Sequence, residues 1–173
     1  MTENTTPRHI VLMGVSGAGK STIGELLGAR LGLPYMDGDD LHSQANIDKM
    51  ANGIPLTDED RWPWLTDIGD WLQEHADGGI IGCSALKRTY RDAIRIAAPR
   101  AVFVHVHGDY ELLRSRMEHR PGHFMPSSLL DSQMAILEPL AEDEPGRVFD
   151  IADPPRVLVD KAEKWLTSGN PAE

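Results

Sequence analysis

Nine residues fix most of what this chain can become. Gly14-Val15-Ser16-Gly17-Ala18-Gly19-Lys20-Ser21-Thr22 follows the apolar run Ile10-Val11-Leu12-Met13 and leads into the helical pattern KSTIGELLGARL. The stretch fits G-x-x-x-x-G-K-[ST]. Its glycines let the backbone wrap tightly, so that successive N–H groups point at one anion. The helix that begins near Lys20 adds its positive N-terminal end. In an isolated glycine-rich turn the pattern carries little weight; a strand before it and a helix after it make it a nucleotide-phosphate site. All nine residues are assigned to that site, with Lys20 reaching the β- and γ-phosphates and Ser21 ligating Mg²⁺.

The rest of the chain repeats this strand-then-helix order. Apolar runs at 8–14, 33–37, 78–83, 100–108 and 146–152 read as strands. Helical patterns occupy 20–31, 39–51, 57–75, 86–97, 109–119, 129–140 and 155–166. Alternation of this kind predicts an α/β fold, a five-stranded parallel sheet flanked by helices on both faces, in a single domain over 1–173. Ligands of such sheets sit at the carboxyl ends of the strands. In the third helix Thr57 and Asp60 form a capping-box pattern, while Pro63 predicts a kink or a start nearer Trp62.

Composition bounds the partners. The net charge is −10, which argues against a broad nucleic-acid face. The single cysteine, Cys83, permits no internal disulfide, as suits a reducing compartment. There is no secretory apolar stretch at the N-terminus, and no apolar run near the ~20 residues of a membrane span. A cytoplasmic protein with no membrane partner is expected.

A phosphate loop alone does not define a reaction. The Asn/Thr-Lys-x-Asp motif by which switch GTPases read guanine is absent, and GGIIGC ends without the acid that ATPases place on a later strand. Acids appear instead after the second strand, in Asp37-Gly38-Asp39-Asp40. Spaced i, i+2 at a strand end, Asp37 is placed to hold a water on Mg²⁺, and Asp39 to accept a proton from a substrate hydroxyl. Asp40, or Asp39 itself, also suits the N-cap of the next helix.

Four segments together, GVSGAGKST, DGDDLHSQANIDKMANGIPLTDEDRWPWL, CSALKRTYRD and RPGHFMPSSLLDSQMAILEPL, resemble the bacterial-type gluconate kinases, relatives of shikimate and adenylate kinases. The similarity runs from about Ile10 to Asp160. It implies a P-loop kinase that uses ATP and Mg²⁺ to phosphorylate the 6-hydroxyl of D-gluconate, and a homodimer. It implies a substrate-binding helical segment at 39–76 and a lid at 120–137. On that resemblance His42 and Lys49, which share a helical face with Asn46, belong to the acceptor pocket. Arg61 is assigned to the acceptor carboxylate, a fork-shaped donor for a forked acceptor. Ser84, Lys87 and Arg91 complete the pocket after the third strand, and His123 reaches an acceptor oxygen. Arg116 lies against adenine or a phosphate, and Arg120 is an arginine supplied in cis to the transferring phosphoryl group. Trp62 and Trp64, Cys83, and the pair His105 and His107 read as packing residues. A shikimate-like kinase, and a nucleotide-binding regulatory module with no acceptor, are the rival readings.

Overall fold

A computed structural model describes residues 8–118 and 127–168. Five strands, β1 (His9–Met13), β2 (Tyr35–Asp37), β3 (Gly79–Gly82), β4 (Val102–His107) and β5 (Gly146–Asp150), form one parallel sheet in the order β2-β3-β1-β4-β5. Seven helices connect and cover them: α1 (Lys20–Leu31), α2 (Gln44–Ala51), α3 (Asp58–Glu74), α4 (Arg88–Ala97), α5 (Tyr110–Glu118), α6 (Ser127–Ile136) and α7 (Pro155–Leu166). No described helix is long and apolar enough to cross a membrane.

Strand alternation sorts the core into two layers. Ile10 and Leu12 of β1, with Val102, Val104 and Val106 of β4, face α1, α5, α6 and α7. There they meet Ile23, Leu27, Leu113, Leu130, Leu158 and Leu166. Val11, Met13 and Phe103 face α3 and α4, against Leu65, Ile68, Leu72 and Ile94. Each such side chain, fully buried, contributes about 1.5–3 kcal/mol. β1 is therefore covered on both faces, which is why it is buried throughout and apolar from Ile10 to Met13.

Two expectations change. The expected helix over 39–51 is broken into a short 3-10 turn, Gly38–Leu41, and α2. Asp37 accepts the Asp39 N–H and so caps the turn, while Ser43 accepts the Asn46 N–H and caps α2. Neither Asp39 nor Asp40 is that helix's cap. In α3 the capping box prevails over the proline. Thr57 and Asp60 exchange both bonds, the helix starts at Asp58, and Pro63 lies inside it. The box satisfies two N–H groups at the start. Pro63 removes the donor to the carbonyl of exposed Glu59 and crowds that carbonyl with its ring.

Candidate active site

The phosphate loop joins β1 to α1. Gly14 and Gly17 have φ of 155° and 85°. A Cβ on Gly14 would stand 2.6 Å from the Val106 carbonyl oxygen, and one on Gly17 2.5 Å from Met117 Cγ, so only glycine fits at either place. Gly19, also left-handed, is the N-cap of α1 and brings no side chain to it. The first N–H groups of the helix therefore face the hollow of the loop. Lys20 Nζ donates to the Gly14 and Val15 carbonyls at 2.7 and 3.2 Å. The Tyr35 hydroxyl is hydrogen-bonded to Ser21. Arg116 donates to the Ile151 carbonyl at 2.7 Å, and its other terminal nitrogen lies 4.0 Å from where a side chain on Gly19 would begin. The structure thus places Arg116 beside the loop.

The acids follow β2, which β3 separates from β1. Gly38 crosses β3 so closely that a Cβ there would be 2.3 Å from the Gly82 carbonyl oxygen. The Trp64 indole donates to the Gly38 carbonyl at 2.8 Å. These contacts fix the turn that carries Asp39. The Asp39 side chain is 76% exposed, yet it lies in a concave site crowded by protein. That crowding, then the charge of Asp37, raises its pKa, and Lys20 draws it back down in part. Asp37 keeps one oxygen on the Asp39 N–H at 2.9 Å.

The acceptor side is a cluster at the start of α3. His42 stacks on Trp64, ring centres 4.1 Å apart, and its Nε2 is 3.9 Å from Asp39. Burial, then Arg61, lowers its pKa, so the ring is neutral near pH 7. Asn46 is buried and donates to His42 Nδ1 and to the Asp60 carbonyl. Lys49 pairs with Asp60 at 2.7 Å. His42 lies before α2 and so shares no helical face with Asn46 and Lys49, contrary to expectation, but all three side chains dock against α3. Arg61 donates to the Tyr90 hydroxyl at 3.1 Å, which itself donates to Asp58 at 2.6 Å. Lys87 stands 3.9 Å from Asp58, and both cations lie over the Tyr90 ring. Arg61 and Lys87 thus converge on one carboxylate. Ser84 follows β3, its carbonyl accepting the Gly14 N–H. Ala85 after it is held at φ 45°, the one positive-φ residue other than glycine among those described.

Arg91 is not in this group. Its side chain is 1% exposed and forks onto Glu144 at 2.5 and 3.0 Å, with a further bond to the Ala85 carbonyl. The expectation that it binds acceptor is corrected. Lys87 precedes α4 rather than lying in it, so the two never share a helical face. Cys83 is buried, its thiol pushed up to about 12 by burial, which leaves it inert. His105 is buried, its pKa lowered to about 3 by burial and then His107, and no metal-holding cluster exists among the described residues. Trp64 packs as expected, while Trp62 is half-exposed with its edge on Tyr90. Arg120 and His123 lie outside the described residues, as does the 120–126 part of the expected lid. Sequence reasoning missed Tyr35, Tyr90 and Gln133, and gave Asp58 and Asn46 no role of their own. Asp58, in the run DED, and Asn46, on the polar face, offered a signal; the others did not.

A parallel sheet of this order, a glycine-rich loop between β1 and α1, and acids at the carboxyl end of β2 define a P-loop kinase. A family model described as an AAA domain matches residues 10–125. The gluconokinase of Gluconobacter oxydans (strain 621H) is 48% identical over 153 residues, covering 84% of this chain and 86% of that protein. The chain belongs to the gluconokinase family. Two solved structures are similar throughout. A sugar kinase from a Janibacter species has TM-score 0.86 and 49% identity over 96% of this chain and 98% of that one. A gluconokinase from Sinorhizobium meliloti 1021 has TM-score 0.85 and 48% identity over 93% and 92%.

Proposed function

We propose that this protein transfers the γ-phosphoryl group of ATP to the 6-hydroxyl of D-gluconate, giving 6-phosphogluconate and ADP. The observation that carries the reading is Asp39: a solvent-open carboxylate in the turn after β2, its proton affinity raised by the surrounding protein and then by Asp37, and lowered in part by Lys20 of the phosphate loop.

ATP lies with its phosphates over residues 14–22. Asp39 orients the 6-hydroxyl and takes its proton as the oxygen attacks phosphorus in line with the leaving ADP oxygen. Lys20 moves from the Gly14 and Val15 carbonyls to the phosphates, and with Arg120 it balances the charge of the transfer. The donors near Ser21 and Asp37 are hard oxygens, too few for an all-protein cage, which suits Mg²⁺ carried in by the nucleotide. Mg²⁺ would neutralise phosphate charge when bound. Arg61 and Lys87 hold the acceptor carboxylate, displacing Asp58, while His42 and Lys49 serve its hydroxyls. Ser84 and His123 contribute further polar contacts, and Arg116 lies along the nucleotide. The 39–76 segment is the acceptor-binding part and 120–137 the lid that excludes water. A homodimer in the cytoplasm completes the reading.

The test is ADP release with Mg-ATP across D-gluconate, 2-keto-gluconate, shikimate, AMP and no acceptor. Turnover confined to gluconate is expected. Turnover with shikimate or AMP instead would reassign the pocket around Arg61 and Lys87. Nucleotide binding without turnover of any acceptor would leave a regulatory module.

A further inference from the structure

Gln133 of α6 reaches the phosphate loop from 117 residues away. The Ser16 N–H donates to Gln133 Oε1 at 2.7 Å, and Gln133 Nε2 donates to Ser16 Oγ at 3.3 Å. A side-chain amide suits this pair of contacts, since it carries an acceptor and a donor side by side.

A phosphate loop works by aiming N–H groups at one anion. An N–H committed to a side-chain acceptor is turned away from that anion. The Ser16 N–H is so committed, which leaves the hollow to the donors nearer the start of α1. The position along the loop matters too. Lys20 Nζ rests on the Gly14 and Val15 carbonyls, and that lysine serves the β- and γ-phosphates. Gln133 therefore grips the loop beside the end where transfer happens.

The grip is anchored. Leu130 of α6 is fully buried, and Asp131 accepts a bond from the Tyr110 hydroxyl of α5 at 2.5 Å. On the adjoining residue, Gly17 packs against Met117 of α5 with no room for a side chain. The loop is thus braced by two helices at two successive residues.

We propose that Gln133 is a positioning residue that holds Ser16, so that the terminal-phosphate end of the loop has its binding shape before nucleotide arrives. The proposal rests on the reading of residues 14–22 as the nucleotide site. A loop with that end released must be ordered by the nucleotide itself, and the ordering subtracts from affinity.

The experiment compares wild type, Gln133→Ala, Gln133→Glu and Lys20→Ala by calorimetry with a non-hydrolysable ATP analogue and with ADP. Steady-state kinetics and hydrogen exchange over residues 14–19 accompany it. Gln133→Ala should raise the Kd of the ATP analogue about tenfold, the equivalent of one lost hydrogen bond. ADP should suffer less, the KM for the acceptor should hold, and exchange at residues 15–17 should quicken. Gln133→Glu still accepts from the Ser16 N–H and hydroxyl but sets a negative charge beside the terminal phosphate. It should keep exchange slow, yet weaken the ATP analogue more than ADP, an effect that salt relieves. A wild-type Kd for the ATP analogue in Gln133→Ala, with only the melting temperature lowered, would overturn the proposal. Should Gln133→Ala fail to fold, an unchanged ATP-analogue Kd in Gln133→Glu would overturn it as well. Undiminished nucleotide binding by Lys20→Ala would instead remove the underlying site.

Discussion

A carboxylate that takes a proton from an alcohol must be ionised when the alcohol arrives and poorly hydrated when it reacts. Asp39 is placed for both, open to the cleft but beside Asp37, with its pKa raised above the ordinary carboxylate value. The sign of the pH dependence follows. On the proposed function, protonation of Asp39 removes the base, so turnover should fall as pH drops through the raised pKa, at higher pH than for a free aspartate of about 3.9. Asp39→Asn should abolish that acid limb and most of kcat while leaving the nucleotide Kd unchanged; near-normal kcat would remove Asp39 as the base. The raised pKa also makes the ionised form a cost to the fold that sets in as pH rises through the folded value. Asp39→Asn should therefore melt no lower than wild type at pH 7. A neighbouring site sets a steric limit. The Tyr35 ring fills a slot in which a Cβ on Gly24 would lie 2.2 Å from Cε1. Gly24→Ala should destabilise by about 1–3 kcal/mol in denaturant titration and disturb the bond between Tyr35 and Ser21. The residues of the loop were legible because their signal is local: spacing, glycines and flanking elements. Tyr35 was not, because its meaning lies in two glycines, Gly24 and Gly82, that only the folded chain sets around it.

At the scale of elements, the corner between α2 and α3 decides how the acceptor side is held. Asn46 is its pin, bonded to His42 and to the Asp60 carbonyl. Asn46→Ala leaves that carbonyl and the His42 ring nitrogen without their donor. It should lower stability by about 1–3 kcal/mol, with a rise in acceptor KM that exceeds any change in ATP KM. Asp60 makes the same corner acid-labile. Lys49, and then the Thr57 N–H, hold its carboxyl down at about 2. A depressed carboxyl stabilises fully above its unfolded value of about 3.9 and loses that contribution as pH falls toward 2. Hydrogen exchange at 46–61 should quicken across that interval, and Lys49→Met, which lets Asp60 protonate nearer its unfolded value, should make that acid-dependent change smaller. The sequence announced these helices through periodicity and through the Thr57–Asp60 box. It did not announce the 3-10 turn, because Asp37, Asp39, Asp40 and Ser43 are all competent caps. Only the docking of Trp64 on the Gly38 carbonyl shows where the chain had to bend.

The molecule as a whole is tied across its second layer by Arg91 and Glu144, both nearly sealed from water. Breaking a buried pair strands a charge and costs about 3–5 kcal/mol. Arg91→Met should thus cause a large loss of stability in thermal melts, whereas the surviving folded enzyme should keep its acceptor KM; a raised KM would return Arg91 to the pocket. Nothing local in the sequence distinguishes this arginine from Arg88, which forks onto exposed Asp143. Its partner lies 53 residues away, and pairing over that distance is settled by the fold. The fold itself was legible, because alternating strands and helices leave few ways to bury both faces of β1. The order of the strands has one more consequence. The acceptor-side residues described above hang from β2 and the chain that follows it through α2 and α3, or from β3 and the chain that follows it into α4, whereas Arg116 and Gln133 hang from the opposite flank, with the phosphate loop on the central strand between them. The chain is therefore built as two trades sharing one workbench: the vocabulary of what is phosphorylated can be rewritten on one wing while the grammar of handling ATP stays intact on the other.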